Sequence, residues 1–123
     1  MTFAIELADS ELRDIAVARA TVRLRFAATA VRDDAGERGW LASVQIEMTG
    51  ASLHGDAAHA FGKIAQGALR HDGVAARLEV PGALSGELEL ALRLANGTQF
   101  VVRGHALVAS AAEGARLAPD LSC

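Results

Sequence analysis

The sequence predicts a mainly β domain: an antiparallel β-sandwich or flattened β-barrel of six to seven strands with one short helix. Three observations carry this. Apolar and polar residues alternate at period two through most of the chain. Turn residues separate the alternating runs at short intervals. The strand–helix–strand rhythm of a parallel sheet is missing.

Taken in order, Phe3, Ile5 and Leu7 alternate in a first strand over residues 2–7, and the polar run 8–14 is turn-like. Residues 15–31 fit two patterns. Leu12, Ile15, Arg19, Val22 and Phe26 have helical spacing, but Val22, Leu24 and Phe26 also alternate with Thr21, Arg23 and Arg25. The β-branched content and the clean alternation favour a strand. Residues 32–39 are a charged loop, and 40–48 a strand with Val44, Ile46 and Met48 on one face. Trp40 at its start suits a core rim, with ligand stacking as the less favoured role. A bend or short strand surrounds Leu53.

Residues 56–70 are richer in alanine and glycine. Asp56 as an N-cap and an inner face of Ala57, Phe61, Ile64 and Ala68 predict the helix. Gly62 and Gly67 weaken it by about 1 kcal/mol each, which keeps a pair of short strands as the alternative. Residues 74–80 form a strand stopped by Pro81-Gly82.

The segment 86–108 is a hairpin whose register follows from side-chain chemistry. A two-residue Asn96-Gly97 turn would set Leu90 opposite Arg103. A three-residue Ala95-Asn96-Gly97 loop instead pairs Leu92 with Phe100, Leu90 with Val102 and Leu88 with Gly104. It also sets Glu89 against Arg103 and Glu87 against His105, so apolar meets apolar and acid meets base. Gly97 then takes a left-handed bulge conformation. Residues 1–109 are expected to form a single β domain, followed by a flexible C-terminal tail over 110–123.

Composition excludes several functions. The chain has 123 residues, enough to bury a core without disulfides. A net charge of -3 offers no electrostatic footprint for a nucleic-acid polymer or an anionic membrane. With no tyrosine and one tryptophan, there is no platform for stacking bases. Neither a signal peptide nor a spanning helix is recognisable. The one cysteine is Cys123, which fits a cytoplasmic protein. The arginine- and alanine-rich composition, with lysine only at Lys63, has the mark of a GC-rich bacterial genome.

No catalytic constellation is visible: no nucleophile elbow, no phosphate loop and no placed thiolate. His54, Asp56 and His59 are suitable metal ligands, with His71 and Asp72 further on. Their spacing lacks the i, i+4 relation of paired helical ligands, so surface histidines are preferred and no metal or cofactor is expected. Glu89–Arg103 and Glu87–His105 are read as exposed ion pairs in preference to an acid and base. Arg19, Arg23 and Arg25 share one face if all three lie on the strand. Aligned guanidiniums suit phosphate or carboxylate, although pairing with carboxylates of neighbouring strands, such as Glu47, is the simpler account.

Arg19-Ala-Thr-Val-Arg23 and Gly50-Ala-Ser52-Leu-His-Gly55 loosely resemble the two motifs of PilZ domains, small β-barrels that bind cyclic di-GMP. The resemblance implies that Arg19 and Arg23 clamp the nucleotide, with Ser52 and Gly55 lining the site. Gly50 departs from the acidic or amide residue of the second motif, and these arginines lie within a strand instead of preceding the barrel. The favoured expectation is a bacterial cytoplasmic module that binds a protein partner or small ligand and is not an enzyme. The PilZ-like sensor is the alternative. Exposed strand edges suggest a homodimer.

Overall fold

The computed structural model of the protein describes residues 2–57, 59–112 and 118–119. The strands are β1 (Phe3–Ala18), β2 (Thr21–Arg32), β3 (Arg38–Leu41), β4 (Val44–Thr49), β5 (Ser52–Gly55), β6 (Gly62–His71), β7 (Val74–Ala76), β8 (Glu79–Val80), β9 (Gly82–Leu94), β10 (Gln99–Ala111) and β11 (Ala118–Pro119). Six of them close an antiparallel barrel in the order β1-β2-β4-β10-β9-β6 and back to β1. Closure is made where Glu11 and Leu12 of β1 pair with Lys63 and Gly62 of β6. The remaining short strands extend the rim: β3 on β2, β5 on β10, β7 on β6, β8 on β1 and β11 on β3. The mainly β expectation is met, as a barrel.

The interior is built by alternation. Val22, Leu24, Ile46, Met48, Leu90 and Val102 are wholly buried, each from a strand whose intervening residues face outward. With few aromatics, aliphatic side chains fill the barrel, and Phe26 and Phe100 are the buried rings. The β9–β10 hairpin has the anticipated three-residue loop. Leu94 donates its N–H to the Thr98 carbonyl, Gly97 has φ +91°, and Leu92, Leu90 and Leu88 face Phe100, Val102 and Gly104. Arg103 faces Glu89, but the register slips beyond Gly104, where Gly86 and Glu87 form a bulge opposite His105. The Glu87–His105 pair is therefore displaced from direct opposition.

The predicted helix over 56–70 is not formed, and no helix occurs among the described residues. Residues 62–71 are strand β6. A register shift between Ile64 and Gln66 breaks its alternation, so its buried residues Ile64 and Leu69 fall at an odd spacing that period two does not give. Phe61, expected on the inner face, is 56% exposed. The polar run 8–14 is likewise strand and not turn. β1 passes through it with bulges, Asp9 at φ +75°, and the buried Ser10 hydroxyl accepting the Ala30 N–H while donating to the Glu6 carbonyl. The expected strand 40–48 is two strands, kinked at Ser43 (φ +60°), and 74–80 is likewise divided into β7 and β8.

β10 continues through Ser110 and Ala111, and Ala118–Pro119 pairs with β3, so part of the expected tail is sheet. The rest of that tail, residues 113–117 and 120–123 with Cys123, lies outside the described residues. No helix of the described residues is long and apolar enough to cross a membrane.

Candidate functional site

On the outer face of β6, β9, β10 and β5, the pairings align side chains in rows across four strands. Ala68 pairs with Ala91, Ala91 with Val101, and Val101 with His54. All point outward, because Leu69, Leu90, Leu92, Phe100 and Val102 beside them point into the barrel. The row on one side is Gln66–Arg93–Gln99, and on the other Arg70–Glu89–Arg103–Ser52. Two alanines and a valine thus lie between rows of longer side chains. The difference in length makes a trough of about 700 Å³, extended by Ala8 and Ala65.

The trough floor is apolar, and the Gln66–Arg93–Gln99 row lines it as a polar wall; the Arg70–Glu89–Arg103–Ser52 row separates it from a neighbouring groove. In that second row Arg103 and Glu89 approach to 3.8 Å, and Arg70 donates to the Gly73 carbonyl at 2.6 Å. Arg93 in the first wall makes no side-chain hydrogen bond or ion pair among the described residues. At the far end, Ser52 Oγ and His54 Nε2 are 2.9 Å apart. This pair is exposed, and no carboxylate is bonded to the imidazole among the described residues, so it lacks the third group that orients a catalytic base.

The neighbouring groove, of about 370 Å³, is lined by Arg70, Glu89 and Arg103 and reaches His105 and Glu87. His71 Nε2 lies 2.7 Å from the Ser85 carbonyl, and Asp72 Oδ1 accepts the Glu87 N–H at 2.9 Å. These bonds tie the β6–β7 turn to the β9 bulge, a structural role for His71-Asp72.

The residues singled out from sequence are placed as follows. Arg23 donates through Nε and Nη2 to Glu47 at 3.0 and 2.7 Å, as the simpler account anticipated. Arg25 is held by Asp14, Nε to Oδ1 at 2.8 Å. The hydrogen bond from Arg25 keeps the Asp14 carboxyl below its ordinary value, and the Arg25 pKa is raised in return. Arg19 does not share this strand face: it sits in the two-residue turn between β1 and β2 at φ +56°. That turn does meet the second motif, since the Ala51 N–H donates to the Ala20 carbonyl at 2.8 Å. Gly55 (φ +114°) lies flat against β10, where a Cβ would come within 2.7 Å of the Gln99 carbonyl oxygen; its place is structural.

No group of three or more metal-ligating side chains is gathered among the described residues. His54 points to the trough wall, while the His59 carbonyl accepts from Asn96 in the hairpin loop. Trp40 is half-buried beneath the Arg38 guanidinium, 5.7 Å from its ring centroid. The trough itself was missed from sequence. Ala68, Ala91 and Val101 lie on three different strands and become a site only when the pairings place them side by side. Comparison with protein-family models, with characterised proteins and with solved structures returns no match to this chain.

Proposed function

We propose that this chain is a binding module without catalytic activity, and that its ligand lies in the trough across β6, β9, β10 and β5. The observation that carries this is the row Ala68–Ala91–Val101–His54 set between two polar rows. Ligand seats are concave, mostly apolar and edged by a few polar groups. The unengaged Arg93, flanked by Gln66 and Gln99, adds a fork suited to carboxylate or phosphate. An apolar body with one anionic end complements both features. The scarcity of cysteine supports a reducing, cytoplasmic setting, and the codon-biased composition supports a bacterial source.

A cyclic dinucleotide is the second reading, favoured by the contact that sets the Arg19–Ala20 turn against residues 50–52. Against it, the Arg23 guanidinium is engaged by Glu47. Native mass spectrometry of the protein as purified separates the two. An added mass lost on Arg93→Ala supports the trough; a dinucleotide mass lost on Arg19→Ala supports the second reading and refutes the first.

A further inference from the structure

We infer that the C-terminal half of β1 is a self-pairing edge through which two copies of this chain associate. β1 leaves β6 at the Leu12–Gly62 pair, and beyond the bulge at Arg13 the segment Asp14–Ala18 is, among the described residues, paired only on its β2 side. Ala18 and Thr21 close a two-residue hairpin, so they form a hydrogen-bonded pair. Antiparallel alternation then turns the main-chain N–H and C=O of Val17 and Ile15 away from β2, onto the open edge.

The side chains repeat the same incompleteness. Val17 shares the core face with its partner Val22, yet Val22 is wholly buried and Val17 is 53% exposed. An inward-facing valine is left in water because, among the described residues, no strand flanks it on that side. Phe61, 56% exposed, immediately precedes Gly62 at the start of this edge. From Asp14 to Ala18 the edge carries none of the usual protections: no proline, no lysine, no inward charge and no bulge.

The occupant that fits is a second copy, because the segment is complementary to itself. An antiparallel pairing with the two-fold axis at Ala16 sets Ile15 opposite the other copy's Val17, and does so twice. These are the residues whose main-chain groups face outward, so about four main-chain hydrogen bonds form. Ala16 meets Ala16 at the axis, where the small side chain gives no obstruction, and Asp14 meets Ala18; the like-charged Arg13 and Arg19 come opposite only beyond this segment, in the bulge and the turn, where both are exposed. The result is an isologous dimer with a sheet continuous across the interface.

The test is sedimentation velocity over a range of concentrations, with two variants. Wild type is expected to associate as concentration rises. Val17→Pro, which removes an N–H used only between copies, is expected to remain monomeric while keeping the barrel. In a Cys123→Ser background, Ala16→Cys is expected to cross-link on mild oxidation, since Cα atoms of a non-hydrogen-bonded pair lie about 4.5 Å apart. This arm stands even if the proline variant fails to fold. Wild type that stays monomeric throughout, or that associates without any Ala16→Cys cross-link, would overturn the inference.

Discussion

Ala91 of β9 is paired with Ala68 of β6 on one side and Val101 of β10 on the other, all three outside the barrel. Their short side chains place a depression on what would otherwise be a convex sheet surface. A barrel of this size is filled by its own side chains, so its interior leaves no room for a ligand. The proposed seat therefore lies outside, on a face that combines an apolar floor, a polar wall and a guanidinium with no partner among the described residues.

The same sheet has a close approach on its inner side. A Cβ at Gly67 would stand 2.6 Å from Leu7 Cβ and 2.9 Å from Leu92 Cδ2. Gly67→Ala is expected to destabilise the protein by about 1–3 kcal/mol through overpacking. Urea denaturation checks it. An unchanged midpoint would show that Leu7 and Leu92 move aside freely.

Thr29 is wholly buried on β2 opposite Leu41, and its hydroxyl has no hydrogen-bond partner among the described residues. Replacing it with an apolar group of the same shape removes a desolvation cost. Thr29→Val is expected to stabilise by about 1 kcal/mol, read as a rise in thermal midpoint.

Arg19 occupies the first position of a two-residue β-turn at φ +56°, a conformation easier for glycine. Arg19→Gly is expected to leave stability unchanged or raise it by about 0.5–1 kcal/mol, offset in part by the freer unfolded chain. Loss of more than this would mean that the arginine side chain holds the turn.

Asp9 and Asp14 are both held below the ordinary carboxylate value of 3.8, Asp9 by hydrogen bonds from Arg38 and Lys63, Asp14 by that from Arg25. A carboxyl with a depressed folded-state pKa contributes stability that is present above its unfolded value and lost as pH falls through the folded one. Both groups are exposed, so the contribution is screened and small. Denaturation midpoints are expected to decline as pH drops below 3.8, and the decline should be shallower in Arg25→Gln. An equal decline in both proteins would remove Asp14 as a contributor.

How far the fold was legible depended on whether each strand kept its alternation. In β9 and β10 period two runs unbroken from Leu88 to Leu94 and the loop ends in glycine, so even the register could be deduced. In β6 the shift between Ile64 and Gln66 moved the inward face by one residue and broke period two, which left the chance helical spacing of Phe61, Ile64 and Ala68 as the clearer pattern. In β1 the bulges around Asp9, Ser10 and Arg13 disguised a long strand as a turn. Arg23 could be assigned to Glu47 in advance because both stood on readable strands. The trough could not be foreseen, because its residues are distant in sequence and become neighbours only through the pairings of four strands.

The most direct measurement is amide chemical-shift mapping with octanoate and octylamine, in wild type and Ala91→Phe, which fills the trough from its floor. Binding in the trough predicts that octanoate perturbs Ala68, Ala91 and Val101, that octylamine does so less, and that Ala91→Phe loses the response while remaining folded. Perturbations elsewhere on the barrel, or a response that survives Ala91→Phe, would contradict the assignment of this face as the binding site.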